Sequence, residues 1–329
     1  MLLKIATTIT RYQEERKVFA MPEVQPSLNQ QHILTLLKTH FSSAITDLAP
    51  LSGGSVAQTL GFTTNRQDYV LRLVTDRVGA SFEKEAYLYE RLAPRIPIPR
   101  IYHTGHFQDV YYAISQRVPG KPLTRLSWLE NEQLLSSLVE LVDSIHHSDV
   151  SNTRGYGTID NTSTGFFSSW RKSLLSVAEE EAEGEFYGKW HTLFEQTFLE
   201  RDLFDAVYKR MKSLLDLCPE DRYLLHGGPA YGNVLAQDGK ITAVLDWLDA
   251  QYGDFVHDIV CMDFWEPRFR FAERFHQLYT TRGEAIPNYS ERQQCYQCQL
   301  ALDAMRFYAK ANDERSYRWL QERIRSLLA

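Results

Sequence analysis

The stretch that decides the fold lies between residues 226 and 247. It begins with HGGPAYGN (226–233), passes a turn at Asp238-Gly239 and follows the apolar run ITAVL (241–245) to Asp246. Two short apolar runs on either side of Asp-Gly are typical of a β-hairpin. This hairpin would present Asn233 and Asp246 from neighbouring strand ends, as oxygen ligands suited to Mg²⁺ held with substrate phosphates. Taken alone, such residues are far more often ordinary turn and strand-end residues.

A glycine-rich segment and a basic residue support the phosphate hypothesis from the other half of the chain. Residues 52–55 (SGGS) would allow the backbone to approach a phosphate chain closely. Arg72 lies within an apolar strand pattern over residues 69–74 and needs an anionic partner if it points inward. Glu85, in a predicted helix over 82–92, could supply that partner. The alternative is a half-exposed strand whose polar face carries Arg72.

The periodicity of apolar residues changes along the chain and suggests a division into parts. Residues 1–26 lack a core pattern, and Ser27 is the predicted N-cap of a first helix. Strand patterns cover 51–74 and 110–114, and Val118-Pro119-Gly120 marks a boundary. Beyond it the patterns predict helices, with the hairpin region 223–247 between them: 129–148, 165–182, 195–217 and 290–327.

The order of these parts resembles the aminoglycoside phosphotransferase and choline kinase family over about residues 30–320. Within that family the chain is most similar to hygromycin B phosphotransferases, through five segments: YVLR (69–72), IPIP (96–99), GYG (155–157), ITAVLDW (241–247) and YGD (252–254). The resemblance implies an α+β, two-lobed protein-kinase-like fold, with a nucleotide-binding N-lobe over 27–118 and a mainly helical C-lobe over 119–329. It also implies phosphorylation of a hydroxyl group on a small molecule, with ATP or GTP and Mg²⁺ as cofactors.

The resemblance further implies roles for individual residues. The glycine-rich segment would cover the nucleotide phosphates, Arg72 would contact them while Glu85 holds it, and the backbone of residues 116–118 would meet the adenine edge. Asn233 and Asp246 would bind Mg²⁺. Phosphoryl transfer depends mostly on positioning and charge neutralisation, which is what such a set supplies. The residues assigned to the nucleotide are Ser52, Gly53, Gly54, Ser55, Arg72, Glu85, Gln116 and Val118.

One position departs from the family pattern. The family motif is His, any residue, Asp, four residues, Asn, and its Asp accepts or orients the proton of the attacking hydroxyl; after His226 that position is Gly228. Loss of a general base typically costs about 10²- to 10⁴-fold in rate. Tyr231, Asp249 or Asp254 could approach from nearby. A non-catalytic nucleotide-binding protein, a repurposed enzyme and an alteration at this single residue all remain open.

The acceptor side carries a weaker signal. Asp249, Asp263 and Glu266, with Trp265 between the last two, follow the predicted metal strand where such folds build the acceptor cleft. They could bind an ammonium-bearing or polyhydroxylated ligand. The alternative is a solvated helix end beside a core tryptophan.

Composition excludes several classes of function. With 36 basic and 42 acidic residues the net charge is −6, which argues against a nucleic-acid partner and favours a cationic or neutral small molecule. Four cysteines are too few for a disulfide scaffold. The chain has no apolar run of the roughly 18 residues that a membrane span requires, and charges from Arg11 onward interrupt any signal-peptide pattern. We therefore expect a cytoplasmic protein with no membrane partner.

Overall fold

The computed structural model describes residues 26, 28–51, 57–93, 95–182, 186–228 and 230–328. The chain divides into two compact units. The first contains the residues up to Glu83 and residues 100–117, and the second contains residues 84–99 and the residues from 118 onward. The predicted glycine-rich segment 52–55 and residues 1–25 of the predicted extension lie outside the described residues. No helix within the described ranges is long and apolar enough to cross a membrane.

The first helix of the first unit among the described residues is α1 (Gln30–His40). Its N-cap is Asn29, whose Oδ1 accepts the backbone N–H of His32 at 2.9 Å. The prediction of Ser27 as N-cap is therefore wrong, because the helix begins three residues later and Asn29 satisfies its first-turn donor. One face of α1, with Ile33, Leu36 and Leu37, is buried against the sheet of this unit.

That sheet has five antiparallel strands in the order β1-β2-β3-β5-β4. The two-residue turn between β2 and β3 has both residues in the left-handed region, which matches the twist of a tight hairpin. Of the predicted strand region 51–74, residues 58–64 and 67–74 form strands and residues 52–56 lie outside the described residues; the predicted strand over 110–114 is confirmed, and β1 and β4 were not predicted. The strands are β1 (Thr46–Pro50), β2 (Gln58–Thr64), β3 (Gln67–Val74), β4 (Ile101–Phe107) and β5 (Val110–Gln116).

Helix α2 (Asp76–Leu92) follows β3 and is longer than predicted. The sequence Gly79-Ala80-Ser81 carries no apolar periodicity, so the pattern indicated a helix only from residue 82. The C-terminal half of α2 belongs to the second unit. There Leu88 and Leu92 are buried, and so is Lys84, one turn before Leu88.

The second unit is mainly helical. Helix α3 begins with a capping box in which Ser127 and Glu130 exchange hydrogen bonds, close to the predicted start. The predicted helix over 165–182 is confirmed only for residues 170–175, because residues 165–167 pair with a strand. The predicted helix over 290–327 is interrupted near Asn312, which has a left-handed φ of 54°. The helices are α3 (Trp128–His146), α4 (Trp170–Leu175), α5 (Leu193–Gln196), α6 (Arg201–Leu214), α7 (Val256–Trp265), α8 (Phe271–Thr281), α9 (Tyr289–Lys310) and α10 (Glu314–Leu328).

Two small sheets complete the second unit. The first contains the predicted hairpin, which is confirmed: β10 (Val234–Gln237) pairs with β11 (Lys240–Val244), and the short β6 (Lys121–Pro122) pairs with β10. Of the second sheet only residues 223–225 lie in a region that was predicted to contain strands; the other strands, of three or four residues each, were not predicted. Its order is β8-β7-β12-β9, with β7 (Tyr156–Ile159), β8 (Gly165–Phe167), β9 (Tyr223–Leu225) and β12 (Gln251–Gly253).

A buried ion pair joins the end of β12 to α9. The carboxylate of Asp254 accepts the Nε–H of Arg292 at 2.8 Å and a second hydrogen bond from its Nη2. Tyr296 also donates its hydroxyl to Asp254. The side chains of Asp254 and Arg292 are 0% and 4% exposed, so neither charge has water as an alternative partner.

We predict that Arg292→Met destabilises the protein by about 3–5 kcal/mol, because it leaves the charge of Asp254 buried and unpaired. The matched control is Arg318→Met, which removes an exposed pair with Glu314 and should cost less than about 1 kcal/mol. Urea unfolding at neutral pH measures both. Equal losses in the two variants would contradict the assignment of Arg292 as the essential partner.

Candidate active site

The turn after β9, residues 226–228, is held by the carboxylate of Asp258 in α7. The Oδ2 atom of Asp258 accepts the N–H of His226 at 2.7 Å, and Oδ1 accepts the N–H of Gly227 at 2.9 Å. The Nε2 atom of His146, at the end of α3, lies 3.2 Å from the same Oδ2. Burial alone would raise the pKa of Asp258, but the bonds from His146 and Gly227 hold that pKa below its ordinary value.

Gly227 brings this turn into backbone contact with the loop after β11. Its φ is +80°, and a Cβ atom at this position would lie 1.7 Å from the carbonyl oxygen of Asp249. Any larger residue would both strain the backbone and displace the loop. The loop itself begins with Asp246 in the left-handed region, at φ 61°.

Two further hydrogen bonds connect the turn, the hairpin and the loop. The backbone N–H of Leu245 donates to the carbonyl oxygen of Asn233 at 2.7 Å. The Nε2 atom of His226 lies 3.0 Å from the carbonyl oxygen of Leu245, so Nε2 carries the ring proton. Asn233 and Asp246 are thus at adjacent ends of the confirmed hairpin, with His226 packed beneath them.

Gly228 borders a space that can hold a side chain. A Cβ atom there would lie 3.6 Å from Nδ1 of His226, 3.7 Å from Nδ2 of Asn233 and 3.8 Å from Oδ2 of Asp249, which are ordinary contacts. The backbone at this glycine is not left-handed, unlike that of Gly227. A Cβ atom at position 228 is therefore compatible with the existing backbone.

Asp249 is the acidic residue beside this space, and its electrostatic environment is unusual. Asp249 is exposed to solvent, but many protein atoms lie around its carboxyl group. This partial desolvation, followed by the negative charge of Asp246, raises the pKa of Asp249 to about 6. The positive charge of Lys84 opposes the shift.

Lys84 lies beside the same loop and was not predicted as a site residue. Its side chain is buried, and Nζ donates to the carbonyl oxygen of Leu248 at 2.7 Å. Desolvation lowers the pKa of Lys84, and the negative charges of Asp249 and Asp160 oppose this effect. The sequence signal was available, since Lys84 precedes Leu88 by one turn on the apolar face. Asp258 and His146 were missed as well, although an acidic residue within the apolar run of α7 marks Asp258.

The residues predicted for the nucleotide are distributed over both units. Arg72 is half-buried on β3, with its guanidinium 4.9 Å from the ring centroid of Phe82. Gln116 is exposed at the end of β5, in the first unit. Glu85 is buried and Val118 is half-buried, both in the second unit. The contact of Glu85 with Arg72 and the contacts of this set with a nucleotide stay predictions.

Three of the residues predicted for the acceptor have partners within the second unit. Asp263 accepts the N–H of Phe271 at 2.6 Å, at the start of α8. Glu266 is buried, and its carboxylate lies 3.1 Å from Nε of Arg268. Trp265 stacks near Trp319. Their contact with an acceptor stays a prediction, and Asp249 is separate from this group because it borders Gly228.

The donor atoms at the hairpin ends fit a magnesium ion. Asn233 and Asp246 offer amide and carboxylate oxygens, which are hard ligands. Across the part of the chain that the structure describes, no three His, Cys, Asp or Glu residues cluster as a metal site. The pair therefore suits a Mg²⁺ ion that completes its shell with phosphate oxygens and water rather than an all-protein cage.

Comparison with known proteins identifies the family. The model of the phosphotransferase enzyme family, named for aminoglycoside phosphotransferases, matches residues 47–294, which include the turn, the hairpin and the loop. The chain belongs to this phosphotransferase family. Hygromycin-B 4-O-kinase of Escherichia coli is 29% identical over 283 residues, which cover 85% of this chain and 80% of the relative. The resemblance predicted from the sequence is confirmed.

Solved structures confirm the α+β, two-lobed kinase-like fold. A thermostable mutant of aminoglycoside phosphotransferase APH(4)-Ia, in ternary complex with ADP and hygromycin B, is 25% identical and has a TM-score of 0.76, over 89% of this chain and 97% of that one. The ternary complex of another mutant with AMP-PNP and hygromycin B is 26% identical, with a TM-score of 0.74 over 89% and 97%. A fructosamine-3-kinase homologue from Haemophilus somnus, at 20% identity and TM-score 0.62 over 91% and 96%, shares the fold.

We predict that Gly227→Ala destabilises the protein much more than Gly239→Ala. Both glycines are left-handed, but a Cβ at Gly239 has no atom within 4 Å. Gly239→Ala should cost about 1–2 kcal/mol from backbone strain alone, and Gly227→Ala at least about 2 kcal/mol more, because the loop must move. Chemical denaturation compares the two. Equal costs would mean that the turn and the loop are not in contact.

Proposed function

We propose that the protein transfers the γ-phosphoryl group of ATP to a hydroxyl group of an aminoglycoside or a related natural product. The observation that carries this proposal is the convergence of the 226–228 turn, the end of the hairpin and the 246–249 loop. Asn233 and Asp249 lie beside Gly228, and Asp246 follows Leu245, which is hydrogen-bonded to Asn233. The family supports phosphotransfer, and the relatives solved with ADP or AMP-PNP and hygromycin B support both the donor and the acceptor class.

The donor side of the site would work by neutralising charge. Asn233 and Asp246 would hold Mg²⁺, which when bound offsets the negative charge of the phosphate oxygens. Arg72, held by Glu85, would contact the same phosphates, and the backbone of residues 116–118 would bind the nucleotide base. The glycine-rich segment 52–55 would cover the phosphate chain. Whether ATP or GTP is preferred is decided by assaying both donors.

The acceptor side would bind a cation. Aminoglycosides carry ammonium groups and many hydroxyl groups, and Asp249, Asp263 and Glu266 supply carboxylates for them, with Trp265 nearby. The negative net charge of the protein favours the approach of such a ligand. Hygromycin B is the first acceptor to test because the relatives are named for it.

A second candidate function is nucleotide binding without transfer. Gly228 favours it, because the position that carries the proton-accepting aspartate in the family motif has no side chain here. In that case the protein would bind Mg²⁺ and ATP without phosphorylating any acceptor.

We predict that the protein incubated with Mg²⁺, ATP and hygromycin B forms ADP and hygromycin B bearing one added phosphoryl group, as measured by mass spectrometry. Asp246→Ala should lower this turnover by about 10²-fold or more, because it removes charge stabilisation at the phosphates. Asp238→Ala, at the exposed turn of the same hairpin, is the control and should leave the rate unchanged.

Phosphorylated product in the parent and its loss in Asp246→Ala would support the kinase. Bound nucleotide without product from hygromycin B or from a panel of aminoglycosides would favour the second candidate. Equal turnover in Asp246→Ala and in the parent would remove Asp246 from the site.

A further inference from the structure

The three heavy atoms nearest to the position of a Cβ at Gly228 are all polar, and they differ in their ability to accept a proton. They are Nδ1 of His226, Nδ2 of Asn233 and Oδ2 of Asp249, each within 4 Å of the position that a Cβ at residue 228 would take. An amide nitrogen has no lone pair available for a proton. Only the histidine and the carboxylate remain.

His226 is poorly placed to act as the base. Its Nδ1 atom has no hydrogen-bond partner among the described residues, and its Nε2 is engaged with the carbonyl oxygen of Leu245. The residue is 0% exposed, so a proton taken up at Nδ1 has no direct route to solvent. Asp249, in contrast, is solvent-accessible and can release a proton to water after each turnover.

The two other nearby candidates are engaged elsewhere. Tyr231 is buried, and its hydroxyl donates to the carbonyl oxygen of Leu123 at 3.2 Å. Asp254 is buried in its ion pair with Arg292. Neither side chain supplies one of the three atoms nearest to a Cβ at Gly228, and each would leave a buried partner unsatisfied if it moved there.

We propose that Asp249 is the proton-accepting catalytic residue of this chain, in place of the aspartate that the family motif carries at position 228. The inference rests on the proposed function. In the step, the acceptor hydroxyl oxygen forms a bond to the γ-phosphorus of ATP, and the bond from that phosphorus to the β–γ bridging oxygen breaks. ADP leaves with the electron pair of that bond. The hydroxyl proton passes to Oδ2 of Asp249 and then to water.

The backbone holds Asp249 in place for this role. Its carbonyl oxygen and its Cβ pack against Gly227, whose turn is fixed by Asp258. The carbonyl oxygen of the preceding residue, Leu248, accepts a hydrogen bond from the buried ammonium group of Lys84. The carboxylate therefore lies beside Gly228 on a segment that contacts Gly227 and Lys84.

The test is a double-mutant design with Mg²⁺, ATP and hygromycin B. Asp249→Asn in the parent should lower kcat by about 10²- to 10⁴-fold. Gly228→Asp introduces a base at the position found in the family. If the two carboxylates serve one role, adding Asp249→Asn to this variant should lower kcat by less than about tenfold. Gly228→Asn has a side chain of the same size without a carboxylate, so it is the control. In that background Asp249→Asn should lower kcat as much as it does in the parent. Asp238→Asn is the control for loss of a carboxylate and should leave kcat unchanged.

A second readout separates proton transfer from ligand binding. The dissociation constant of Mg·ATP, measured by calorimetry, should change by less than about threefold in Asp249→Asn, since the residue acts on the acceptor hydroxyl. A loss of Mg·ATP affinity as large as the loss of kcat would overturn the proposal, because Asp249 would then serve the metal or the nucleotide.

The remaining outcomes distinguish this proposal from the proposed function. An active parent with unchanged kcat in Asp249→Asn would overturn Asp249 as the base and leave the kinase intact. An inactive parent with an active Gly228→Asp variant would also overturn it, and would show a competent scaffold that lacks any base. Inactivity of both proteins with all aminoglycosides, despite Mg·ATP binding, would overturn the proposed function and this proposal with it.

Discussion

The carboxylate of Asp258 accepts two consecutive backbone N–H groups, and the described geometry of the candidate site depends on this pair of hydrogen bonds. Without Asp258, the buried N–H groups of His226 and Gly227 would lose their partner, and each unsatisfied group costs about 1–3 kcal/mol. Without these donors and His146, the buried carboxylate would have to take up a proton. The same hydrogen bonds satisfy both the backbone N–H groups and the Asp258 carboxylate, and they fix the direction of the chain at residues 226–228.

The two adjacent glycines of this turn differ in whether the backbone geometry requires a glycine. Gly227 is required by the geometry, because its φ is positive and the carbonyl oxygen of Asp249 occupies the place of a Cβ. Gly228 is not required, since a side chain there meets only ordinary contacts. The glycine at 228 therefore lacks the carboxylate of the family motif, and the backbone and side chains around this position do not depend on that carboxylate. This explains how a chain without the motif aspartate keeps Asn233, Asp246 and Asp249 together.

Elements that depend on residues close together in the sequence were predictable, and elements that depend on distant residues were less so. The hairpin of Asn233 and Asp246 was predictable because Asp238-Gly239 is a local turn signal between two apolar runs. The strands β7, β8 and β12 were not, because three or four residues carry no periodicity, and β12 pairs with residues 157–158 that are distant in sequence. The long helix over 290–327 was overpredicted, since the apolar spacing continues across the break at Asn312.

The same distinction applies to the site. Motif residues such as His226, Gly228 and Asp246 were identifiable from their order in the chain. Lys84 was missed because a lysine in an amphipathic helix is normally on the solvated face, and its burial depends on the carbonyl oxygen of Leu248, 164 residues away. Asp249 was grouped with acceptor residues, and only its contact with the 226–228 turn distinguishes it from Asp263.

We infer that the residues around Gly228 still bind a metal-nucleotide complex through Asp246. Thermal unfolding with ATP, in the presence and absence of Mg²⁺, measures this binding, since a ligand at about 100 times its dissociation constant adds about 2.7 kcal/mol to stability. We expect a Mg²⁺-dependent rise in melting temperature for the parent and its loss in Asp246→Asn. No rise in the parent, or an equal rise in the variant, would contradict it.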